Sequence, residues 1–456
     1  MAQTPHTPET KELIASALFD ADWYRDTYRD VTMTGMDPAL HYMRYGYLMD
    51  RDPSPGFSTV FNRTALRGIK PTQEPVTVLQ KLRKASPDAP VYDERAVLPA
   101  AYRESQLGSH DRAIALAQAH LPPAASHTLH VLRANRAIHL GDEAGWSAGL
   151  SAYLAHFGAP PVTLGQGNDL LDRLSAPAPV PVTDGPLVSV LMPAWNCEST
   201  VGAAARSILN QSWRNLELLI VDDCSTDGTW GVLQAVAAQD SRVRVMRNPV
   251  NVGPYVSKNV ALGHARGDWV TGHDSDDWAL PDRITQHMKA VKAEDTPPRA
   301  SLTHMIRVEL NGHFGTIRRR SGFSPDGVAR VASISTLFRR AFLTETLGSW
   351  DCVRFGADSE MIARTQKSIG KEFRTYPFVG MICMSMPTSL TNNPDFGVSA
   401  ATGLSPVRVA YRDAWTQWHQ DLEGDAFVAF PNLKRGYAAP DQMLVPVSDV
   451  LACKQN

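Results

Sequence analysis

The chain of 456 residues is long enough for about three domains of ordinary size. Its 45 basic and 47 acidic side chains give a formal net charge of −2, so no general attraction to nucleic acid or to an anionic membrane is expected. The 5 cysteines lie far apart without a C-x-x-C pair, which disfavours a zinc site or a disulfide framework and fits a reducing compartment.

The start and the apolar content of the chain predict a cytoplasmic protein without a membrane-spanning helix. The first residues, MAQTPHTPETKELIAS, are polar and lack the apolar core of a signal peptide. We find no uninterrupted apolar run of about 18 residues, the length that a transmembrane helix needs.

Residues 1–85 are predicted to form a small helical unit. Aromatic side chains recur there at helical spacing, at Trp23, Tyr24, Tyr28, Tyr42, Tyr45 and Tyr47. The spacing favours packing of a small core, and stacking against a sugar is the alternative.

Residues 86–175 contain a short internal repeat. Leu107-Gly108 and Leu140-Gly141 stand in register, roughly one tetratricopeptide length apart. Each half is expected to form two helices joined by a turn. The region is therefore predicted to be a helical, tetratricopeptide-like spacer or docking surface, and nothing in it indicates chemistry.

Residues 176–186, APAPVPVTDGP, carry proline at every second or third position, which favours extended chain. We expect a linker there, before the largest domain at residues 187–400. Residues 401–456 are predicted to be a C-terminal helical extension that packs on that domain, because PVRVAYRDAWTQWH has an amphipathic helical pattern.

Strand-like and helix-like segments alternate from Leu187 onward. LVSVLMPAWN and LELLIVDDCSTDGT have the near-continuous apolar pattern of strands buried on both faces of a parallel sheet. Amphipathic segments lie between the strands, so an α/β fold with right-handed βαβ units is predicted. Ligands bind such sheets beyond the carboxyl ends of the strands, and the polar clusters fall there: Trp195-Asn196, Asp222-Asp223 and Asp274 to Asp277.

Three stretches together resemble glycosyltransferase family 2, a family of the GT-A fold. They are VSVLMPAWNCESTVGAAARSILNQSWRNLELLIVDDCSTDGTW, NVGPYVSKNVALGHARGDWV and DSDDWALPDR, and the likeness covers about Leu187 to Leu390. The resemblance implies a nucleotide-diphospho-sugar transferase fold with a Rossmann-like, mostly parallel sheet, here preceded by small helical regions.

The resemblance also implies a nucleotide-sugar site. Trp195 would lie against the base, Asp223 would bond the base's imide edge and Lys258 would contact the nucleotide or its phosphates. The full set that the resemblance assigns to the donor is Pro193, Trp195, Asp223, Lys258, Asp274 and Asp276. The alternatives are that Asp222-Asp223 cap the following helix and that Lys258 is a solvated helix-face lysine.

The acidic stretch DSDD is expected to hold a divalent cation, and that cation would neutralise the negative charge of a nucleoside diphosphate. Mg²⁺ and similar hard cations take oxygen ligands, and Mg²⁺ commonly takes only one or two protein carboxylates. The family pattern places Mn²⁺ or Mg²⁺ on Asp276 and Asp277, with Asp274 nearer the ribose. The alternative is an acidic turn without a metal.

RFGADSEMIAR resembles the family's later acidic motif, which carries the catalytic carboxylate. The usual Glu-Asp pair is Ala357-Asp358 here, so Asp358 is the expected base and Glu360 is its rival. An ionised aspartate can take a proton from an acceptor hydroxyl, which predicts a single, inverting displacement. The alternative is that Asp358 is only a first-turn helix acid.

These features together predict a metal-dependent, inverting glycosyltransferase. We expect a UDP-sugar donor and a glycan or lipid-linked glycan acceptor in bacterial surface polysaccharide synthesis, with no nucleic-acid partner. A peripheral contact at the inner membrane face or with an assembly complex, through the N-terminal helical region, is an additional expectation. The rival functions are a nucleotidyltransferase and a non-catalytic scaffold derived from an enzyme, and Arg318, Arg319 and Arg320 are a solvated hairpin face or contacts for an anionic acceptor.

Overall fold

The computed structural model describes residues 7–66, 69–86, 94–315, 317, 324–387, 389–390, 392–393, 395–399, 403–424 and 426–454. Arg318, Arg319 and Arg320 lie outside the described residues. The chain divides into two compact units, one of Met1–Tyr153 with Thr316–Val328 and one of Leu154–Gly315 with Ala329–Asn456. The five-part division of the sequence stays a prediction.

The first part of the first unit consists of short helices around an aromatic core. Asp20, Asp37 and Ser58 begin three of them by accepting a backbone N–H in the first turn. Tyr24 and Tyr42 are fully buried in this core, which is the packing role that the aromatic spacing favours. The α-helices are Pro8–Ile14, Ala21–Thr27, Arg29–Thr34, Pro38–His41, Thr59–Ala65 and Pro75–Ala85, with a π-helical turn at Tyr42–Gly46 and a 3₁₀ turn at Tyr47–Met49.

Two helix pairs follow, as the repeat predicts. They are Val97–Gln106 with His110–His120 and Leu129–His139 with Glu143–Ala155. Gly108 and Gly141 end the first helix of each pair at φ of 83° and 73°, and each donates its N–H to a carbonyl of the last turn. The two Leu-Gly pairs are therefore equivalent helix ends of the left-handed type.

A buried ionic group joins the aromatic core to the helix pairs within the first unit. Arg112 pairs with the buried carboxylates of Asp52 and Glu104, and the Ser58 hydroxyl donates to Glu104 at 3.1 Å. These contacts link two regions that the sequence pattern separates.

The second unit is built on a mixed sheet. Its strands are β1 (Val188–Ala194), β2 (Leu216–Asp222), β3 (Val243–Arg247), β4 (Trp269–Gly272), β5 (Asp277–Ala279), β6 (Ala300–Glu309), β7 (Arg330–Val331), β8 (Leu337–Arg339) and β9 (Arg374–Ser385). Their order is β3-β2-β1-β4-β8-β6-β9-β5, with β7 paired to β6. β3, β2, β1 and β4 are parallel, as are β6 and β9, whereas β8, β5 and β7 pair antiparallel to their neighbours.

Helices cover this sheet and complete the predicted α/β class. β1 and β2 are buried along their whole length, as expected of strands covered on both faces. The α-helices of this unit are Leu170–Arg173, Val201–Leu209, Thr229–Gln239, Pro254–Gly263, Arg283–Lys292, Ala357–Ile369, Pro406–Asp421 and Val447–Lys454. Two small ladders pair Thr163–Leu164 with Leu174–Ser175 and Val398–Ser399 with Gly403–Leu404. Among the helices of the described residues, none has the length and apolar character that crossing a bilayer requires.

The proline-rich segment is hydrogen-bonded to the second unit. Val182 donates its N–H to the Ser212 carbonyl at 2.7 Å and accepts the Arg214 N–H at 2.8 Å. The Trp213 indole donates to the Pro186 carbonyl at 3.2 Å. The boundary between the compact units lies upstream of this segment, after Tyr153.

The C-terminal residues contribute to the core of the second unit. Tyr411, Met443, Val450 and Cys453 are buried in one cluster with side chains of β1 and β2. Val353 also forms an antiparallel bridge with Leu444. The chain after Pro406 is thus continuous with the sheet domain in packing.

Candidate active site

The loops that follow β1 and β2 are bonded to each other at the carboxyl edge of the sheet. The Asn196 side-chain oxygen accepts the Thr226 N–H at 2.8 Å, and Glu198 accepts the Gly228 N–H at 2.6 Å. Asn196 and Cys224 have φ of 45° and 61°, a backbone region that side-chain-bearing residues seldom adopt. Such outliers concentrate at functional sites, where surrounding contacts hold them in place.

The two residues expected at the end of β1 have different environments. Pro193 is buried within the strand, whereas Trp195 is 55% exposed just beyond it. A large aromatic ring left in solvent at a strand end is available to stack on a planar ligand. Pro193 can act on a ligand only through the backbone that it shapes.

Asp222 and Asp223 end β2 with buried carboxylates. Asp222 lies 2.9 Å from the Arg247 guanidinium and accepts the Ser225 N–H. Asp223 accepts hydrogen bonds from Asn248 at 2.8 Å, from Val252 N–H at 3.0 Å and from Gly253 N–H at 2.7 Å. Burial raises the pKa of Asp223, and these hydrogen bonds oppose the rise. Asp223 thus holds the loop that leads into the helix Pro254–Gly263.

The acidic turn between β4 and β5 brings three carboxyl groups together and raises the pKa of each. Burial raises the pKa of Asp276 to about 6, with a further contribution from Asp274. Burial, then Asp276 and Asp274, hold the pKa of Asp277 well above its usual range. Arg307 opposes these shifts at each of the two carboxyls. Asp277 is 5% exposed, and its carboxylate accepts the Met384 N–H of β9 at 3.1 Å.

Two buried residues that the sequence analysis did not single out support this turn. The Arg283 guanidinium donates to the Gly272 carbonyl at 2.7 Å and to His273 Nδ1 at 3.2 Å. His273 Nδ1 is then an acceptor, so its Nε2 carries the proton and donates to the Asp277 carbonyl at 3.1 Å. Burial, followed by Arg283, holds the pKa of His273 well below its usual range. In the sequence, the Pro-Asp-Arg that ends DSDDWALPDR was the signal that could have pointed to Arg283.

Asp358 lies in the first turn of the helix Ala357–Ile369 and receives three side-chain donors. The Trp350 indole donates to its Oδ1 at 3.1 Å, and the Tyr255 hydroxyl donates to its Oδ2 at 3.3 Å. Lys258 Nζ lies 3.3 Å from Oδ1 and 3.5 Å from Oδ2. The Asp358 side chain keeps 27% of its surface exposed, so it is held in place and still accessible.

Lys258 is 3% exposed, which excludes the solvated-lysine interpretation. Its ammonium lies 5.1 Å from the centre of the Tyr255 ring and 5.8 Å from that of Trp350, within cation–π range. Its direct partner in the described structure is the carboxylate of Asp358.

One cleft brings Asp358 to the end of β4. Lys258, Thr271, Gly272 and Asp358 line a cavity of about 10 Å³, which is room for one water molecule. Lys258 and Asp358 also act on the pKa of Asp274 in opposite senses, after the dominant upward effect of burial. The proposed base and the acidic turn are therefore electrostatic neighbours.

Glu360, the rival base, occupies a different environment. It is fully buried, and its two oxygens lie 2.9 Å from Arg364 and 3.0 Å from His419. Residues two apart on a helix do not share a face, so Asp358 and Glu360 point to different surroundings. Glu360 is placed to anchor the helix Pro406–Asp421, not to meet a ligand.

The acidic turn fits a cation that it would share with a ligand. Within the described ranges, no three or more His, Cys, Asp or Glu side chains are arranged to hold a metal ion. Mg²⁺ needs only one or two carboxylates when phosphates and water complete its coordination. The mutual repulsion of Asp274, Asp276 and Asp277 supplies a physical reason to bind positive charge there.

Comparison with known proteins identifies the sheet domain. The sequence model described as "Glycosyl transferase family 2" matches residues 189–328. The chain carries a glycosyltransferase family 2 domain. The GT-A fold class expected from the sequence resemblance is confirmed with it.

Several curated bacterial glycosyltransferases are similar to the family 2 domain. An uncharacterized glycosyltransferase of Haemophilus influenzae is 37% identical over 103 residues, which is 23% of this chain and 41% of that protein. The putative glycosyltransferase EpsE of Bacillus subtilis is 40% identical over 108 residues, or 24% of this chain and 39% of that protein.

A third relative is named for a specific activity. It is the UDP-Glc:alpha-D-GlcNAc-diphosphoundecaprenol beta-1,3-glucosyltransferase WfaP of Escherichia coli, 34% identical over 108 residues, or 24% of this chain and 42% of that protein. The matched region thus spans about two fifths of the length of each of these relatives.

Proposed function

We propose that the protein is an inverting glycosyltransferase that moves a sugar from a nucleotide-sugar, most simply a UDP-sugar, to a hydroxyl of a glycan or glycolipid. The observation that carries the proposal is that Asp358 lines the cleft at the end of β4, the strand that leads into the acidic turn, within a family 2 domain. The UDP donor is supported by the activity for which WfaP is named. The polysaccharide setting is supported by relatives named for colanic acid and succinoglycan biosynthesis.

Donor binding is assigned to the carboxyl edge of the sheet. Trp195 would stack on the base, which contributes about 1–3 kcal/mol per stacked base. Asp223 would act by holding the loop Asn248–Gly253 beside the nucleotide, since its oxygens already accept hydrogen bonds from that loop. Asp274 would lie nearer the ribose.

Asp276 and Asp277 would hold Mn²⁺ or Mg²⁺. The chemistry supplied by such a cation, when bound, is neutralisation of the negative charge on the departing diphosphate. Arg283 and His273 would keep the turn in its geometry by their contacts with Gly272 and the Asp277 carbonyl.

Asp358 would accept the proton of the acceptor hydroxyl. The hydroxyl oxygen forms a bond to the anomeric carbon while the bond from that carbon to the diphosphate oxygen breaks, and the electron pair leaves with the nucleoside diphosphate. A single displacement of this kind inverts the anomeric configuration. The Tyr255, Lys258 and Trp350 contacts would keep the carboxylate aimed during the transfer.

A lipid-linked acceptor would require access to a membrane. We include in the proposal a peripheral contact at the cytoplasmic face, made by the N-terminal helical region, where Tyr45, Leu48 and Met49 are about half exposed. Co-sedimentation with lipid vesicles tests it, and equal recovery of the wild type and a triple serine variant in the pellet would contradict it.

Calorimetric titration with UDP, with and without Mn²⁺, tests the donor site. Mn²⁺ should strengthen UDP binding to the wild type, and this gain should vanish in Asp276→Asn and Asp277→Asn. The exposed Asp295→Asn serves as the matched control and should retain it. An equal Mn²⁺ effect in all four proteins would contradict the metal assignment.

Product analysis tests the reaction class. Incubation with UDP-sugars and candidate acceptors should release UDP and give a product of inverted configuration. Release of pyrophosphate from a nucleoside triphosphate would instead identify a nucleotidyltransferase. Nucleotide binding without turnover of any donor would favour a non-catalytic scaffold.

A further inference from the structure

The position of Asp358 depends on a side chain that neither the family match nor the sequence analysis assigns. We infer that Trp350 is a positioning residue for the proposed base, and that Asn259 and the C-terminal segment fix Trp350 in turn. The inference rests on the proposed function, since it explains how the base of that reaction is held.

Trp350 contacts the base through its indole N–H. The Nε1 to Oδ1 distance is 3.1 Å, and the ring is 7% exposed. Trp350 also packs edge-on against Phe338 of β8, with ring centres 6.2 Å apart. A buried ring with one fixed donor holds a carboxylate in a single orientation, because indole donates only along its N–H direction.

Asn259 fixes the backbone of Trp350 from both sides. Its Nδ2 donates to the Trp350 carbonyl at 2.8 Å, and its Oδ1 accepts the Trp350 N–H at 3.0 Å. Asn259 is 2% exposed, so these two bonds do not compete with solvent.

One face of the helix Pro254–Gly263 carries the remaining supports. Tyr255, Lys258 and Asn259 are spaced i, i+3 and i+4, which places them on the same face. Tyr255 and Lys258 contact Asp358 directly, and Asn259 acts on it through Trp350. The Tyr255 hydroxyl also accepts the N–H of Gly356, the residue before the helix of Asp358.

The C-terminal segment anchors the next residue, Asp351. Its fully buried carboxylate accepts hydrogen bonds from Tyr411 at 3.0 Å and from Asn432 at 3.0 Å, and it pairs with Arg435. Arg435 also donates to the Cys352 carbonyl at 2.7 Å. The segment that carries Trp350 is thus held by Asn259 on one side and by residues 411–435 on the other.

Trp350→Phe tests the contact, because it removes the N–H and keeps an aromatic ring beside Lys258. The turnover number for sugar transfer should fall about 10- to 100-fold, the usual effect of losing a hydrogen bond to a charged group. UDP affinity by calorimetry should stay within about two-fold, since the lost interaction acts on the base and not on the donor.

Matched variants separate positioning from general damage. Trp415→Phe changes a partly buried tryptophan whose ring contacts His419, and it should leave turnover near the wild-type value. Tyr411→Phe removes only the hydroxyl that donates to Asp351 and should lower turnover by a smaller factor, again with UDP affinity retained. Unchanged turnover in Trp350→Phe, or an equal loss in Trp415→Phe, would overturn the inference.

A spectroscopic measurement tests the contact without any turnover. The chain has 10 tryptophans, whose indole N–H signals can be resolved by ¹⁵N labelling of the full-length protein. The indole signal that is missing from the spectrum of Trp350→Phe belongs to Trp350. Asp358→Asn should shift this signal more than any other indole signal. If a different indole signal moves, Trp350 does not hold Asp358, whatever the reaction is. If the Trp350 signal moves while no donor is turned over, the proposed function fails and the positioning contact stands.

Discussion

Two sets of acidic residues in the second unit differ in how their charge is balanced. Asp274, Asp276 and Asp277 share one turn, and the carboxyls of Asp276 and Asp277 have pKa values raised by burial and by their acidic neighbours. Asp351 and Glu360 are fully buried, and each is paired with an arginine, Arg435 and Arg364 respectively.

The comparison separates carboxylates that need a ligand from those that do not. A buried ion pair is satisfied within the protein, and removing one partner leaves a charge that the fold must bear. A cluster of carboxyls with raised pKa values is stabilised in its ionised form when a positive charge binds, and perturbed pKa values of this kind are frequent at functional sites. Asp358 lies between these extremes, since it is paired with Lys258 and remains partly exposed.

The largest loss of activity is expected when Asp358 is substituted. Asp358→Asn keeps the size of the side chain and removes its ability to take a proton. Sugar transfer should fall by about 10²–10⁴, the usual contribution of a general base, while UDP affinity stays within a few-fold. Steady-state kinetics and calorimetry on the same preparation check this. Near-normal transfer in the variant would remove Asp358 from the mechanism.

Glu360→Gln should mainly affect the fold. The substitution leaves Arg364 buried without its ionic partner, which typically destabilises a protein by about 3–5 kcal/mol. Urea unfolding should show this loss, and transfer per folded molecule should change much less than in Asp358→Asn. An inactive Glu360→Gln protein of wild-type stability would make Glu360 the base and reverse the comparison.

Trp195→Ala should weaken donor binding without unfolding the protein. The side chain is 55% exposed, so its removal leaves no cavity, but it would remove a stacking surface worth about 1–3 kcal/mol. UDP affinity by calorimetry should fall about 5- to 150-fold. Trp418→Ala is the control, because the Trp418 ring packs against His419 and Tyr437, and it should lower the melting temperature while leaving UDP affinity unchanged.

Asp276→Asn should make the metal-free protein slightly more stable. The raised pKa of this carboxyl, about 6, means that its ionisation costs more free energy in the folded protein than in the unfolded chain, so the ionised group lowers stability at neutral pH. An uncharged amide removes that repulsion, and we expect a gain on the order of 1 kcal/mol, or a few degrees in melting temperature. Scanning calorimetry in a chelating buffer measures it. A large loss of stability would show that the turn is balanced without a ligand.

Local pattern was sufficient for several features of the fold. Strands β1 and β2 were expected from apolar runs that end in polar residues, and the acidic turn was expected at the carboxyl edge. The repeated Leu-Gly pairs predicted two helix ends, which Gly108 and Gly141 form. These features depend on periodicity and turn chemistry within about ten residues of chain, and such patterns can be read without a structure.

The roles of individual polar side chains were less accessible to the sequence. Lys258 was weighed as a nucleotide contact or a solvated lysine, and the structure buries it against Asp358, 100 residues away. Arg283 lay within the quoted acidic stretch without an assigned role, and the structure places it under the turn. The contacts of Lys258 and of Arg283 both depend on how a helix packs against the sheet.

The sequence by itself determined the α/β class, the positions of the first strands along the chain and the acidic residues at their ends, because apolar periodicity and strand-end chemistry are local properties. Only the tertiary structure distinguished Asp358 from Glu360, two residues apart on one helix. The first meets Lys258, Tyr255 and Trp350 in a cleft, and the second meets Arg364 and His419 in the core. A carboxylate's role depends on the charges and solvent around it, and those are supplied by distant parts of the chain that only folding brings together.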